Sequence, residues 1–541
     1  MQDKDMQERG TQDEKIQGTE EENAGLLLLR KGQKGIMHAL FSRLGLFALL
    51  LILQVFVLFS VFHWFENILP HLLGGTLLFT ILMVLKLLNS GLDSTAKNTW
   101  LVVIMAFPVF GILLYLYTQS EIGHRAVKAR VEHLIKQTKE AIPQCEETLQ
   151  KLKEREPGAA ALVKYVNRSS CHPVFENTQV TYFPLGEAKW EEMLRQLEQA
   201  KEFIFMEYFI VDEGLMWGKV LDILSRKAQE GLDVRVMYDG TCEFANLPHD
   251  YPKRLRKLGI KCKMFSPLVP LLSTHYNYRD HRKILVIDGH TAFNGGVNLA
   301  DEYINHIERF GHWKDTAVML KGEAARSFTL MFLQMWNIDE KEVKFDGFLD
   351  RAVPAADKTQ GFVLPFGDCP LDEDKVGERV YMDILNRASD YVHIMTPYLI
   401  LDGEMEAALK FAAERGVDVK LILPGIPDKK IPYALAKMHY ASLLHSGVKI
   451  YEYTPGFVHA KVFVRDDKEA VVGTINLDYR SLYHHFECAT WMYETPCIDG
   501  IEQDFEETCR KCREVTPETI WQGYKRLRWI GYLMKVVAPL L

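Results

Sequence analysis

The second half of this chain repeats the first. Gly231-Leu-Asp-Val-Arg-Val is echoed by Gly416-Val-Asp-Val-Lys-Leu, and Gly259-Ile-Lys by Gly447-Val-Lys. His281-Arg-Lys-Ile-Leu-Val-Ile-Asp288 is echoed by His459-Ala-Lys-Val-Phe-Val-Arg-Asp466, and Gly295-Gly-Val-Asn by Gly473-Thr-Ile-Asn. The order is the same in both copies. The first carries ten extra residues between Pro267 and His281. A period this long is not a solenoid repeat. It predicts two similar domains packed as a pseudo-dimer, with one site between them.

Within each copy short apolar runs alternate with helical stretches, the pattern of an α/β fold. The strand candidates are Phe203–Ile210, Val234–Tyr238, Ile284–Ile287, Val392–Met395, Val419–Leu423 and Val462–Val464. The chemistry lies in H-x-K-x4-D, followed in each copy by an Asn 17 residues after the His: Asn298 and Asn476. Alternation along a strand puts His281 with Lys283, and His459 with Lys461, on one face. Asp288 and Asp466 complete the motif and are grouped with His281, Lys283, His459 and Lys461 as catalytic residues, although they have the opposite parity and close the strand, where they can organise a turn. Two His, two Lys and two Asn converging on one interface describe a phosphate site. Ammonium groups offset the charge and amides donate to the oxygens. One imidazole can attack phosphorus while the other protonates the leaving oxygen. An acid on the far nitrogen of each ring would fix its tautomer. Asp315 and Glu487, each opening an apolar run, are the candidates. The expected pairs are Asp315 with His281 and Glu487 with His459. Lys and Asn are poor transition-metal ligands, so no metal is expected.

Upstream the texture differs. Residues 1–40 form an acidic tail, read as disordered over 1–29, and a basic flank. Residues 41–118 hold three apolar runs, at about 44–64, 70–89 and 99–117. The first and third contain uncharged stretches long enough for a hydrocarbon core of about 30 Å. They are expected to cross a membrane, and the second, which contains Gly74, Gly75 and Lys86, is expected as a weaker membrane segment, giving two or three spans. Basic residues flank both ends of this region, which leaves the orientation open. Residues 119–160 read as a charged helical connector, 161–350 and 351–515 as the two repeats, and 516–541 as a basic amphipathic segment suited to anionic lipid. Nine irregularly spaced cysteines fit a reducing compartment, so residues 120–541 are expected in the cytosol. The one CxxC, Cys509 and Cys512, lacks a second pair for zinc. With 64 Lys+Arg against 72 Asp+Glu, the net charge of −8 argues against a nucleic-acid binder.

The duplicated motif resembles the hallmark of the phospholipase D superfamily. Within it the chain is similar to the bacterial cardiolipin synthases. The resemblance extends to Phe107-Pro-Val-Phe-Gly111, Glu207-Tyr-Phe-Ile210, Tyr278-Arg-Asp-His-Arg-Lys283, Trp313-Lys-Asp-Thr316, Thr396-Pro-Tyr398 and Asn476-Leu-Asp-Tyr-Arg-Ser481. It departs at His485, where the family usually carries Asn. The resemblance implies an integral membrane phosphatidyltransferase without a cofactor. Two phosphatidylglycerols would give cardiolipin and glycerol through a phosphohistidine, with His281 as nucleophile and His459 as general acid. Hydrolysis to phosphatidic acid is the alternative, since both routes share the covalent intermediate.

Overall fold

In the computed structural model of the protein the described residues are 76–119, 125–266, 278–345, 347–351, 353–354, 359–372, 374–536 and 538–540, with Phe56, Phe59, Ser60, His63 and Trp64. The acidic tail, nearly all of the 44–64 run, and the ten extra residues before His281 lie outside them.

The first repeat builds strands β1 (Thr178–Phe183), β2 (Phe203–Tyr208), β3 (Asp233–Asp239), β4 (Lys261–Phe265), β5 (Arg279–Asp280), β6 (Lys283–Ile287), β7 (Thr291–Gly295), β8 (His312–Lys314) and β9 (Ala317–Gly322). The second builds β10 (Phe362–Asp368), β11 (Tyr391–Met395), β12 (Asp418–Pro424), β13 (Lys449–Tyr453), β14 (Gly456–Val458), β15 (Val462–Arg465), β16 (Glu469–Gly473), β17 (His485–Tyr493) and β18 (Cys512–Glu514). One sheet runs β1-β9-β7-β6-β2-β3-β4; the other runs β10-β17-β16-β15-β11-β12-β13 and adds β18. Strand for strand the order is the same, as the sequence duplication requires. In each sheet three strands are parallel, β2 to β4 and β11 to β13. Parallel neighbours need crossover connections. The helices Leu215–Gln229 and Tyr251–Lys257 supply them in the first repeat, and Gly403–Glu414 and Lys430–His445 in the second.

The two sheets share a core. Val318 of β9 is buried with Val462, Val472 and Met492 of the other repeat. The connector does not stop at residue 160. Its last helix, Pro157–Ser170, buries Ala159, Leu162, Val163 and Val166 in the core of the second repeat.

In the apolar N-terminal region the helix is interrupted. The 99–117 run is not one continuous span. The helix Ser94–Ala106 ends at Phe107 (φ −138°, ψ 77°), and a second helix runs Pro108–Gln119. Proline lacks an N–H and pushes the residue before it out of the helical region, so the chain turns there. The two helices fold back until Trp100 and Tyr115 meet edge to face at 5.3 Å. Gly111 permits the approach: a Cβ there would lie 2.8 Å from the Val103 carbonyl oxygen. The 70–89 run is helical over Thr76–Leu88. Helices of 13 residues reach about 20 Å, and no helix among the described residues is long and apolar enough to cross a membrane. At the other end, the helix Leu527–Lys535 seats Gly531 against Met438 and turns Trp529 and Leu533 outward, 78% and 73% exposed.

Candidate active site

Two short parallel strand pairs, each joining one repeat to the other, assemble the site. β5 pairs with the start of β17, so Arg279 faces His485 and Asp280 faces Phe486. The His281 N–H then donates to the Phe486 carbonyl at 3.0 Å. β14 pairs with β8, so Phe457 faces Trp313 and Val458 faces Lys314. The His459 N–H donates to the Lys314 carbonyl at 2.7 Å. The next residue on each partner strand is a carboxylate. His281 Nδ1 therefore meets Glu487 Oε1 at 2.8 Å, and His459 Nδ1 meets Asp315 Oδ2 at 2.6 Å. This reverses the expected pairs. Each imidazole is held by the carboxylate of the opposite repeat, because inter-repeat register, rather than proximity along the chain, chooses the partner.

Both rings line one cleft of about 650 Å³, together with Asn298 and Asn476. They are 6% and 7% exposed. With Nδ1 engaged, Nε2 is the nitrogen left to react. Lys283 donates from Nζ to the His281 carbonyl at 2.6 Å, and Lys461 donates to the His459 carbonyl. Asn298 has a structural task as well. Its Oδ1 accepts the Ile210 N–H at 3.0 Å and its Nδ2 donates to the Tyr303 hydroxyl at 2.8 Å. Asn476 Oδ1 has no hydrogen-bond partner among the described residues.

Asp288 and Asp466 stand apart from the chemistry, a correction to their grouping with the catalytic residues. Each sits at φ 51° in the turn that closes its strand. The Asp288 carboxylate accepts the N–H groups of Lys201, Glu202 and Phe203 at 2.8–2.9 Å. Asp466 does the same for Ser389, Asp390 and Tyr391. Alanine at either position is expected to destabilise the fold by about 2–4 kcal/mol, from lost charge-assisted bonds and left-handed strain. Thermal unfolding should show the loss, while turnover per folded molecule stays unchanged.

The surroundings of the two histidines differ. The Trp313 ring lies tilted beside His459 at 5.5 Å between centroids, with Tyr303 at 5.3 Å and Phe457 at 5.9 Å. The equivalent positions beside His281 are His485 and Arg279. Sequence reasoning noted His485 as a departure but did not place it in the cleft. It also missed Trp313 and Tyr303 as walls. The signal was available: Trp313 and His485 each stand two residues before the carboxylate, on the same strand face.

Burial, then the Lys283 charge, holds the His281 imidazolium form well down. Burial and Lys461 lower His459 to about 4, while Asp315 pulls the other way. Burial pushes the Glu487 carboxyl well up. It lowers Lys283 to about 8 and Lys461 to about 7. Each lysine is charged below its own value and loses that charge above it. The free-enzyme parameter kcat/KM should therefore fall as pH rises through about 7 to 8, as the phosphate-attracting charge disappears. A profile flat from pH 6 to 9 would contradict this.

The family described as "Cardiolipin synthase, PLD-like domain" matches residues 193–336 and 381–509, and one described as "Phospholipase_D-nuclease N-terminal" matches 78–118. An uncharacterized protein of Streptococcus mutans is 58% identical over 458 residues, 85% of this chain and 99% of that one. A cardiolipin synthase of Geobacillus kaustophilus is 32% identical over 477 residues, 86% of this chain and 94% of that one. A solved phosphatidylserine synthase of Haemophilus influenzae shares the fold, with TM-score 0.52 at 13% identity, over 70% of this chain and 99% of that one. Both family matches fall on the duplicated domains and the folded-back N-terminal helices, and the relatives are matched over nearly their whole length. The chain thus belongs to the cardiolipin synthase family of the phospholipase D superfamily, a family of phospholipid phosphatidyltransferases.

Proposed function

We propose that this cleft moves a phosphatidyl group from one phosphatidylglycerol to the headgroup of a second, through a phosphohistidine on His281. His281 Nε2 attacks phosphorus, the bond to the headgroup glycerol breaks, and His459 gives that oxygen its proton. A hydroxyl of the second phosphatidylglycerol then loses its proton to His459 and attacks phosphorus. The P–N bond breaks, releasing cardiolipin and a neutral His281. The observation that carries this reading is the crossed arrangement: two imidazoles on one cleft, each with its far nitrogen on a carboxylate. The assignment of roles is supported by the asymmetry between the rings. His281 is held neutral, as an attacking nitrogen must be. The Asp315 charge makes His459 the easier ring to protonate.

The exposed apolar side chains gather on the N-terminal helices (Leu78, Leu82, Val102, Met105, Phe107) and on the C-terminal helix. These regions meet, since the Ser94–Ala106 helix touches Ala538–Leu540. That face supports seating on an anionic bilayer, where lipid acceptor is concentrated and water is partly excluded. Nine unpaired cysteines support a cytosolic catalytic region. The test uses purified protein in detergent with labelled phosphatidylglycerol. Cardiolipin with free glycerol is expected; phosphatidic acid as the sole product would overturn the transfer reading in favour of hydrolysis.

A further inference from the structure

The departure at His485 puts a third imidazole beside the catalytic pair. It is 8% exposed, lines the cleft, and neither ring nitrogen has a hydrogen-bond partner among the described residues. Its Nδ1 lies 3.6 Å from Glu487 Oε1, the same oxygen that meets His281 Nδ1 at 2.8 Å. The two imidazole centroids are 5.4 Å apart. His281, His485 and Glu487 thus offer two nitrogens and a carboxylate oxygen within 4.8 Å of one another. Two imidazoles and a carboxylate with a fourth position open are a zinc ligand set. Tetrahedral ligands about 2.0–2.2 Å from zinc stand roughly 3.3–3.5 Å apart. The His485 contact nearly has that spacing, and the His281 contact must open by about half an ångström. At the other histidine the equivalent position is Trp313, so the site exists on one side of the pseudo-dimer.

The geometry points to a zinc site formed by His281, His485 and Glu487, whose occupation switches phosphatidyl transfer off. Zinc would take the lone pair of His281 Nδ1. The neutral ring then carries its one proton on Nε2, and the nitrogen that attacks phosphorus no longer has a free lone pair. The ion replaces the proton in the His281–Glu487 bond, and that proton moves to Nε2. Inhibition rests on the nucleophilic role of His281; binding does not.

Cobalt reports the site directly. The full-length protein in detergent, titrated with Co²⁺, should develop the visible absorption of a tetrahedral ion, and Zn²⁺ should displace it. His485→Asn or His485→Gln should abolish the band. Either variant should also raise the Zn²⁺ concentration for half-inhibition about 100-fold relative to its own metal-free rate. The comparison with variants matters because His393, Glu502 and Glu506 form a second cluster, although the Lys420 ammonium already sits 2.9 Å from Glu506. If the band is absent, or unchanged in both variants, the site is overturned and the role of His281 stands. If the ion binds through His485 and the rate does not change, the switch is overturned, and with it the nucleophilic role of His281.

Discussion

Asparagine at His281 is expected to lower the rate of cardiolipin formation by about 10⁴-fold or more, and asparagine at His459 to do the same. In the proposed reaction both rings act in the chemical step, one as a covalent partner and one as a proton carrier. The double variant should be little worse than either single one, because groups that act as a unit fail together. The roles separate when the headgroup glycerol is replaced by an acidic alcohol that leaves without a proton. His459→Asn should then form the phosphatidyl-enzyme and hold it, since no base remains to activate the acceptor. His281→Asn should form none. Acid-quenched trapping with radiolabelled lipid and peptide mapping reads the result. Label on the peptide containing His281 is expected. Label on the peptide containing His459 instead would exchange the two roles.

The second large effect tests the crossed pairs. Glu487→Gln and Asp315→Asn should each cost about 10²- to 10⁴-fold, because each loses the group that orients an imidazole and stabilises its charged form. The sensitivities should differ. In the proposed roles Asp315 supports the ring that protonates the leaving group, so the acidic alcohol should restore much of the first-step rate to Asp315→Asn. Glu487 supports the attacking ring, so the same substrate should leave Glu487→Gln slow. Rescue of the glutamine variant and not the asparagine variant would mean that the contacts at 2.8 Å and 2.6 Å do not govern the chemistry.

The same carboxylates show where sequence reasoning stopped. Six of the strands were legible because alternation and apolar runs are local signals. β2, β3, β6, β11, β12 and β15 lie within two residues of the runs that mark them. The turn roles of Asp288 and Asp466 followed from parity alone. The carboxylate partners did not, because they depend on the β5–β17 and β8–β14 pairings, which join residues 206 and 144 apart. The break in the 99–117 run was not legible for a different reason. Hydropathy measures affinity for apolar surroundings, and Pro108 and Gly111 turn the helix back without changing that sum.

The sequence by itself determined the duplicated α/β architecture and the matching positions of the two histidines and their lysines in the two repeats. Those rest on periodicity and residue type, which are properties of the chain. Only the tertiary structure decided that each imidazole takes its carboxylate from the opposite repeat. It also decided that aromatic rings surround His459, and that a third imidazole stands beside His281. Those follow from register between strands distant in sequence. Once one backbone hydrogen bond across the interface is set, the period of two fixes which side chains face each other.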